Sequence, residues 1–423
     1  MVYDSGDITF SIVSTALVWL MIPGIGYFYS GMAREKNALS LIVCCLISLV
    51  IVSIQWFIWG YSLTFSRTAN VFIGNLDNAF LNNVLKEPSI GSEKIPDLLF
   101  CIYQNMFAAL TPALVIGSGA ERGRLLPFVV FIFIWTTLVY DTVACWTWNP
   151  QGWIAKLGVL DFAGGSPVHI TSGFSSLAYA LILGRRQKGE FKPHNMSNVV
   201  LGTAFLWFGW FGFNGGSALA GNLRAVMACV VTNLSACVGA VTWMCLDYRL
   251  HRKFSALGFC SGAVAGLVVI TPAAGFVRPA CSVPIGFFGA LSCYGAIRLK
   301  NWLNYDDALD VFAVHGIGGV VGGILTGVFA ESSIAALDGS TEIMGGWVNR
   351  NWQQVAFQLI DVISVSAWSF GVTYIILFLM NITPGLSLRV DSESELQGLD
   401  VAEIGEPAYD KSVHFVSQKI DQE

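Results

Sequence analysis

Charge is scarce in this chain. Asp, Glu, Lys and Arg make up 12% of its 423 residues, about half the share of a typical water-soluble domain. Hydrophobic residues make up 54%, and the mean hydropathy is +0.62. That deficit excludes an ordinary soluble enzyme. The net charge of −5 offers no basic surface to nucleic acid. Paired cysteine spacing is also missing: the 10 cysteines include no Cys-x-x-Cys. Most of them, such as Cys44, Cys45, Cys229, Cys237 and Cys293, fall in apolar runs, so they read as small core hydrophobes rather than disulfides or metal ligands. There is no His-Glu-x-x-His run and no nucleophile constellation, so no metal or other cofactor is expected and a membrane enzyme is the weakest reading. The first seven residues lack a basic stretch. The apolar segment after them is too long for a leader and reads as a retained helix.

What the chain has instead is long apolar runs and small residues. Runs near 20 residues span a bilayer, and eleven are expected, at 8–32, 40–64, 99–119, 125–145, 166–184, 198–217, 224–248, 255–271, 279–298, 308–330 and 353–382. The 44 glycines let such helices approach closely. The expected fold is therefore an all-α polytopic membrane protein. An odd number of spans puts the termini on opposite faces. With the N-terminus outside, sixteen of the 23 Lys and Arg residues fall on inner segments; the other seven are Arg67, Lys86, Lys94, Lys156, Arg224, Arg278 and Arg350. The positive-inside rule thus favours N-out, C-in. The chain divides into a transmembrane domain, 1–388, and a polar, acidic, cytoplasmic tail, 389–423. The tail's acids are expected either to dock on inner basic loops such as 185–192 or 249–253, or to be solvated.

Two of the five histidines, His169 and His315, lie inside apolar, glycine-rich spans. An ionisable side chain in hydrocarbon needs a cavity or a partner. The fifth span opens Asp161-Phe-Ala-Gly-Gly-Ser-Pro-Val-His169 and the tenth opens Asp307-Ala-Leu-Asp-Val-Phe-Ala-Val-His315. Both place an Asp eight residues before a Val-His pair. Because the spans lie five apart, they run in opposite directions, as in an inverted repeat of two five-helix halves followed by a long final helix, with the site between the halves. Gly319, Gly323 and Gly327 share a helix face with His315, and Gly173 shares one with His169, so both imidazoles should face packed helices or a lumen. Asp161 is expected first as a helix cap and second as a field acting on a nearby cation. Asp307, Asp310 and Asp361 read as structural.

The stretch from Asp161-Phe-Ala-Gly-Gly through Val168-His169, Ser172-Gly173 and Ser176-Leu177 to Gly184-Arg185-Arg186 resembles the ammonium transporters of the Amt/Mep/Rh family. Further segments agree: Pro23-Gly24, Gln104-Asn105-Met106-Phe107, Gly119-Ala120-Glu121-Arg122, Trp207 to Asn214, Thr271 to Gly275 and Val314-His315-Gly316. The resemblance runs from about Pro23 to Tyr409 and is most like the fungal Mep branch. It implies a homotrimer of eleven-helix protomers in the plasma membrane, taking up ammonium or methylammonium. It assigns Phe107, Trp148 and Ser217 to cation recruitment, Phe107 and Phe213 to a gate, His169 and His315 to the pore lining and proton relay, and Asp161 and Trp210 to supporting roles. It also implies a tail, from Gly398 to Tyr409, that influences activity and offers a site for a cytoplasmic regulator or kinase. Two other readings remain beside uptake: an ammonium sensor that also transports, and a Rhesus-type channel for neutral gas, against which Trp148 and Ser217 argue because a neutral gas needs no cation site.

Overall fold

The computed structural model describes residues 3–187 and 192–409; Lys188, Lys411, Lys419 and the end of the acidic tail lie outside them. Eleven helical runs occupy the expected places: α1 (Ser5–Met32), α2 (Glu35–Phe65), α3 (Asp97–Gly119), α4 (125–148), α5 (165–183), α6 (Met196–Gly215), α7 (Leu223–His251), α8 (Ala256–Ile270), α9 (Pro279–Ile297), α10 (Phe312–Phe329) and α11 (Gln353–Ile382). Nine helices among the described residues are long and apolar enough to cross a membrane; α5 and α8 are the other two of the eleven. No β-sheet forms among the described residues, only two isolated bridges, Pro88 to Pro96 and Gly123 to Arg389. The chain is a multi-pass, all-α membrane protein.

Packing follows from where small residues fall. α3 sits in the interior and is buried along nearly its whole length. α1 packs on α6, α7 on α8 and α9, and α11 on α5. The outward faces of the peripheral helices carry Val50, Ile54, Val226, Val230, Val241, Ile375 and Phe378, an apolar surface that only lipid tails or another apolar face can match. Cys45 and Cys293 are buried as expected of core hydrophobes, whereas Cys237 lies exposed on the outer face of α7.

The fifth and tenth spans open in the same way. Both Asp161 oxygens are used as caps: Oδ1 accepts from the Gly164 and Gly165 amides, each at 2.8 Å, and Oδ2 from Ser166 at 2.7 Å. Asp307 Oδ2 accepts from the Phe312 amide at 2.8 Å, the same five-residue offset as Asp161 to Ser166. Three residues after each Asp, the backbone turns left-handed, at Gly164 (φ 115°) and Asp310 (φ 60°). The carbonyls of those two residues accept from Val168 at 3.2 Å and Val314 at 3.0 Å. This turn explains why α10 begins at Phe312 rather than near 308: residues 307–310 form the cap. The histidines then sit in widened π-turns, Gly165–Ile170 and Phe312–Gly316, a local geometry that recurs at functional sites.

The acidic tail docks, and only part of it on the expected 185–192 loop. Asp400 caps the start of α2, accepting from Leu39 at 3.0 Å and Ser40 at 2.7 Å, and Glu403 accepts from the Leu125 amide at 2.8 Å. Glu395 takes the Gln187 amide at 2.6 Å and Arg389 at 2.7 Å. Asp400 and Glu403 thus answer unpaired helix-start amides, whereas Glu395 answers a main-chain amide of the 185–192 loop and the Arg389 side chain.

Candidate functional site

A cavity of about 160 Å³ opens at one end of the bundle, lined by Gly91, Phe100, Gln104, Phe107, Trp148, Phe162, Ser217 and Leu219. The expected recruitment residues therefore do meet. Trp148 closes α4 with its ring edge-on to Phe107, centroids 5.9 Å apart. Its indole N–H donates to the Asp161 carbonyl at 3.3 Å, so it is a wall of this cavity rather than an interfacial anchor. Ser217 donates its hydroxyl hydrogen to the Phe213 carbonyl at 2.8 Å, leaving oxygen lone pairs for the cavity. Gln104 Oε1 is buried without a hydrogen-bond partner. Aromatic faces attract cations, and oxygen acceptors suit a cation that carries N–H donors. Na⁺ brings no donor and would have to shed its water.

Beneath the cavity, Phe107 and Phe213 lie 4.4 Å apart, both buried. They make a dry constriction, which a hydrated ion crosses only at great cost. Phe213 also stacks on His169, centroids 6.0 Å apart and planes 10° from parallel. Trp210 covers His169 at 5.6 Å, with its N–H committed to Thr271 Oγ1 at 3.0 Å. His169 Nδ1 and His315 Nδ1 are 3.2 Å apart. For that contact to be a hydrogen bond, one ring donates and the other accepts. With one proton between them and both rings neutral, one of the two outer Nε2 atoms carries hydrogen and the other is bare. His169 Nε2 has no protein partner. Below the pair lies a second, largely apolar cavity of about 40 Å³, lined by His315, Trp210, Leu110, Leu114, Val314 and others, and reaching Asp310 and Met32.

Each nearby acid has a partner, although Asp307 Oδ1 and Asp361 Oδ1 are buried without one. Asp161 is fully used as a cap. Asp310 pairs with Lys300 at 2.5 Å. Asp361 receives the Ser166 hydroxyl. Among the described residues no group of three or more His, Cys, Asp or Glu side chains could hold a metal ion. Reasoning from sequence missed Gln104 as a lining residue, although it stands in the quoted Gln-Asn-Met-Phe segment. It also missed Tyr103, whose hydroxyl donates to the Gly212 and Phe213 carbonyls at 2.9 and 3.0 Å and so ties α3 to α6 beside Ser217. Gly91 had no signal at all: it belongs to the long segment between α2 and α3, which reaches the cavity wall.

A multi-pass helical bundle holding two cavities in line, parted by stacked aromatics and a buried imidazole pair, defines a membrane transport protein. Comparison with known proteins gives the family: the chain belongs to the Ammonium Transporter Family, whose model matches residues 9–409. It is 54% identical to Ammonium transporter 1 of Schizosaccharomyces pombe over 96% of this chain and 83% of that one. It is 47% identical to Ammonium transporter MEP2 of Saccharomyces cerevisiae over 99% and 86%. The crystal structure of Candida albicans Mep2 superposes with a TM-score of 0.90 at 49% identity, covering 96% of this chain and 91% of that chain.

Proposed function

We propose that this protein carries ammonium and methylammonium into the cell across the plasma membrane, as a homotrimer with N-out, C-in topology and no enzymatic activity. The observation that carries the reading is the unbroken column Trp148, Phe107, Phe213, His169, His315, which runs from an acceptor-rich cavity to an apolar one. Ammonium is held at the mouth by Trp148, Phe107, Ser217 and the unpartnered Gln104 oxygen. It gives up one proton near the Phe107–Phe213 constriction, and neutral ammonia passes along the imidazole edges, which offer it both a donor and an acceptor. The released proton passes through or beside the histidine pair and rejoins ammonia on the inner side, so atoms and charge balance. Potassium is refused because it has no proton to give and no N–H to donate. Asp161 acts first as the cap of α5 and second as a field on the recruited cation.

The test is methylammonium uptake by cells devoid of their own transporters, comparing the wild-type chain with His169→Ala at equal surface amounts. Loss of uptake or of discrimination against potassium supports the relay; full uptake with unchanged selectivity overturns it. A sensing role is a second reading, favoured by the way Asp400 and Glu403 couple the tail to the starts of α2 and α4. Truncation after Arg389 separates the two roles if growth signalling fails while uptake persists.

A further inference from the structure

Behind one wall of the mouth cavity lies an arginine that the transport column does not use. Phe162 lines the cavity, and the Arg224 guanidinium sits 4.8 Å from the Phe162 ring centroid and 4.9 Å from that of Phe276. Arg224 Nε donates to the Gly275 carbonyl at 2.9 Å. Its Nη1 reaches Asp338 Oδ2 and Thr341 Oγ1, each at 2.9 Å. Asp338 is built to receive it: the Ser340 and Thr341 amides donate to Asp338 Oδ1 at 2.9 and 2.7 Å, and the Thr341 hydroxyl to Oδ2 at 2.5 Å. The next arginine on this rim, Arg278, is likewise paired with Glu331, so both rim cations here have a carboxylate of their own.

We infer that Asp338 is a charge-balancing residue for recruitment: it neutralises Arg224, one aromatic ring away from the mouth cavity, and so sets the apparent affinity for the incoming cation. An unbalanced guanidinium would act on the cavity in two ways. It would repel a cation directly, through a low-dielectric wall that screens poorly. It would also occupy the ring that the mouth presents, drawing its electrons away from the cavity side. The inference rests on the transport reading above, because the cation being repelled is the one that reading recruits.

The experiment measures methylammonium uptake as KM and Vmax at low and high ionic strength. Asp338→Asn should raise KM by about three- to tenfold with little change in Vmax. Arg224→Gln, which leaves Asp338 unopposed, should lower KM. Both shifts should shrink as salt screens the charges, and the double variant should return toward wild type. Opposite shifts from the two halves of one ion pair are what a charge effect demands, since damage to the rim would move both the same way. If Asp338→Asn does not reach the membrane, Arg224→Gln alone decides: a salt-sensitive fall in KM supports the inference, and a rise or no change overturns it. A wild-type chain that takes up no methylammonium would sink the transport reading itself. Wild-type uptake with unchanged KM in both variants would sink only this inference.

Discussion

Gly173 and Gly316 bring the two histidine-bearing helices into backbone contact. A β-carbon on Gly173 would lie 2.1 Å from the Gly316 amide nitrogen, far inside any real contact. Gly173 stands one turn after His169, and Gly316 directly follows His315, so this crossing fixes how closely the imidazoles approach. Gly173→Ala should therefore force α5 and α10 apart. The expected cost is about 1–3 kcal/mol of stability from overpacking, seen as a lower melting temperature of the purified protein. The 3.2 Å imidazole contact should also be lost, seen as reduced methylammonium uptake in whatever fraction still folds. A variant with wild-type melting and wild-type uptake would show that the crossing does not constrain the pair.

The mouth gives a prediction about binding rather than stability. Ser217 Oγ and Gln104 Oε1 are the oxygen acceptors contributed by side chains on its wall, and a hydrogen bond to a charged partner is worth about 1.5–3 kcal/mol. Gln104→Leu should raise KM for methylammonium by about tenfold, with a smaller effect on Vmax. Ser217→Ala should act in the same direction. Uptake measured across substrate concentration separates this from a gate defect, which would lower Vmax at unchanged KM.

The sequence announced the spans and the chemistry of the column more clearly than its geometry. Hydropathy found the helices because the bilayer demands apolar length, and the Asp-to-His spacing found the repeat because both caps use the same five-residue reach. The π-turns around His169 and His315 left no trace in composition, since they depend on tertiary packing rather than local preference. The tail shows the same limit: its acids were visible, and Glu395 does meet the 185–192 loop, but Asp400 and Glu403 target main-chain amides at the starts of other helices, and no side-chain charge count reveals those. Arg224 was visible only as one of a few outer cations; its place behind Phe162 arises from contacts across more than fifty residues of chain.

Asp400 leads to a prediction about the tail. Its carboxylate takes two amides at the start of α2, the position where an acceptor removes otherwise unpaired donors. Asp400→Ala should cost about 0.5–2 kcal/mol of this local docking and release the segment around it. Limited proteolysis of the intact protein should cut between 391 and 409 several-fold faster than in wild type. An unchanged cleavage rate would mean that the Leu399 amide, which donates to Asn37 Oδ1 at 2.9 Å, and the other tail contacts hold the segment without the cap.

The loop before α10 should carry an acid-labile part of the stability. Arg186 grips Asp306 with its amide and Nε on Oδ2, each at 2.9 Å, and Nη2 on Oδ1 at 2.8 Å; it also reaches Glu121 at 3.1 Å. Burial works to raise the Asp306 carboxyl, but the Arg186 hydrogen bonds and charge overcome it and hold the group at about 2, below the ordinary value near 3.9. A depressed carboxyl stabilises the fold fully above its unfolded value, and that contribution is lost as pH falls from about 4 through about 2. After allowance for solvent screening it is about 1–2 kcal/mol. Asp306→Asn should melt lower than wild type near neutral pH, and the gap should narrow steadily between pH 4 and pH 2. Because Glu121 shares Arg186 with Asp306, the comparison is made in a Glu121→Gln background, which removes the coupled titration. A gap that stays constant across that window would mean that Asp306 contributes through shape rather than charge.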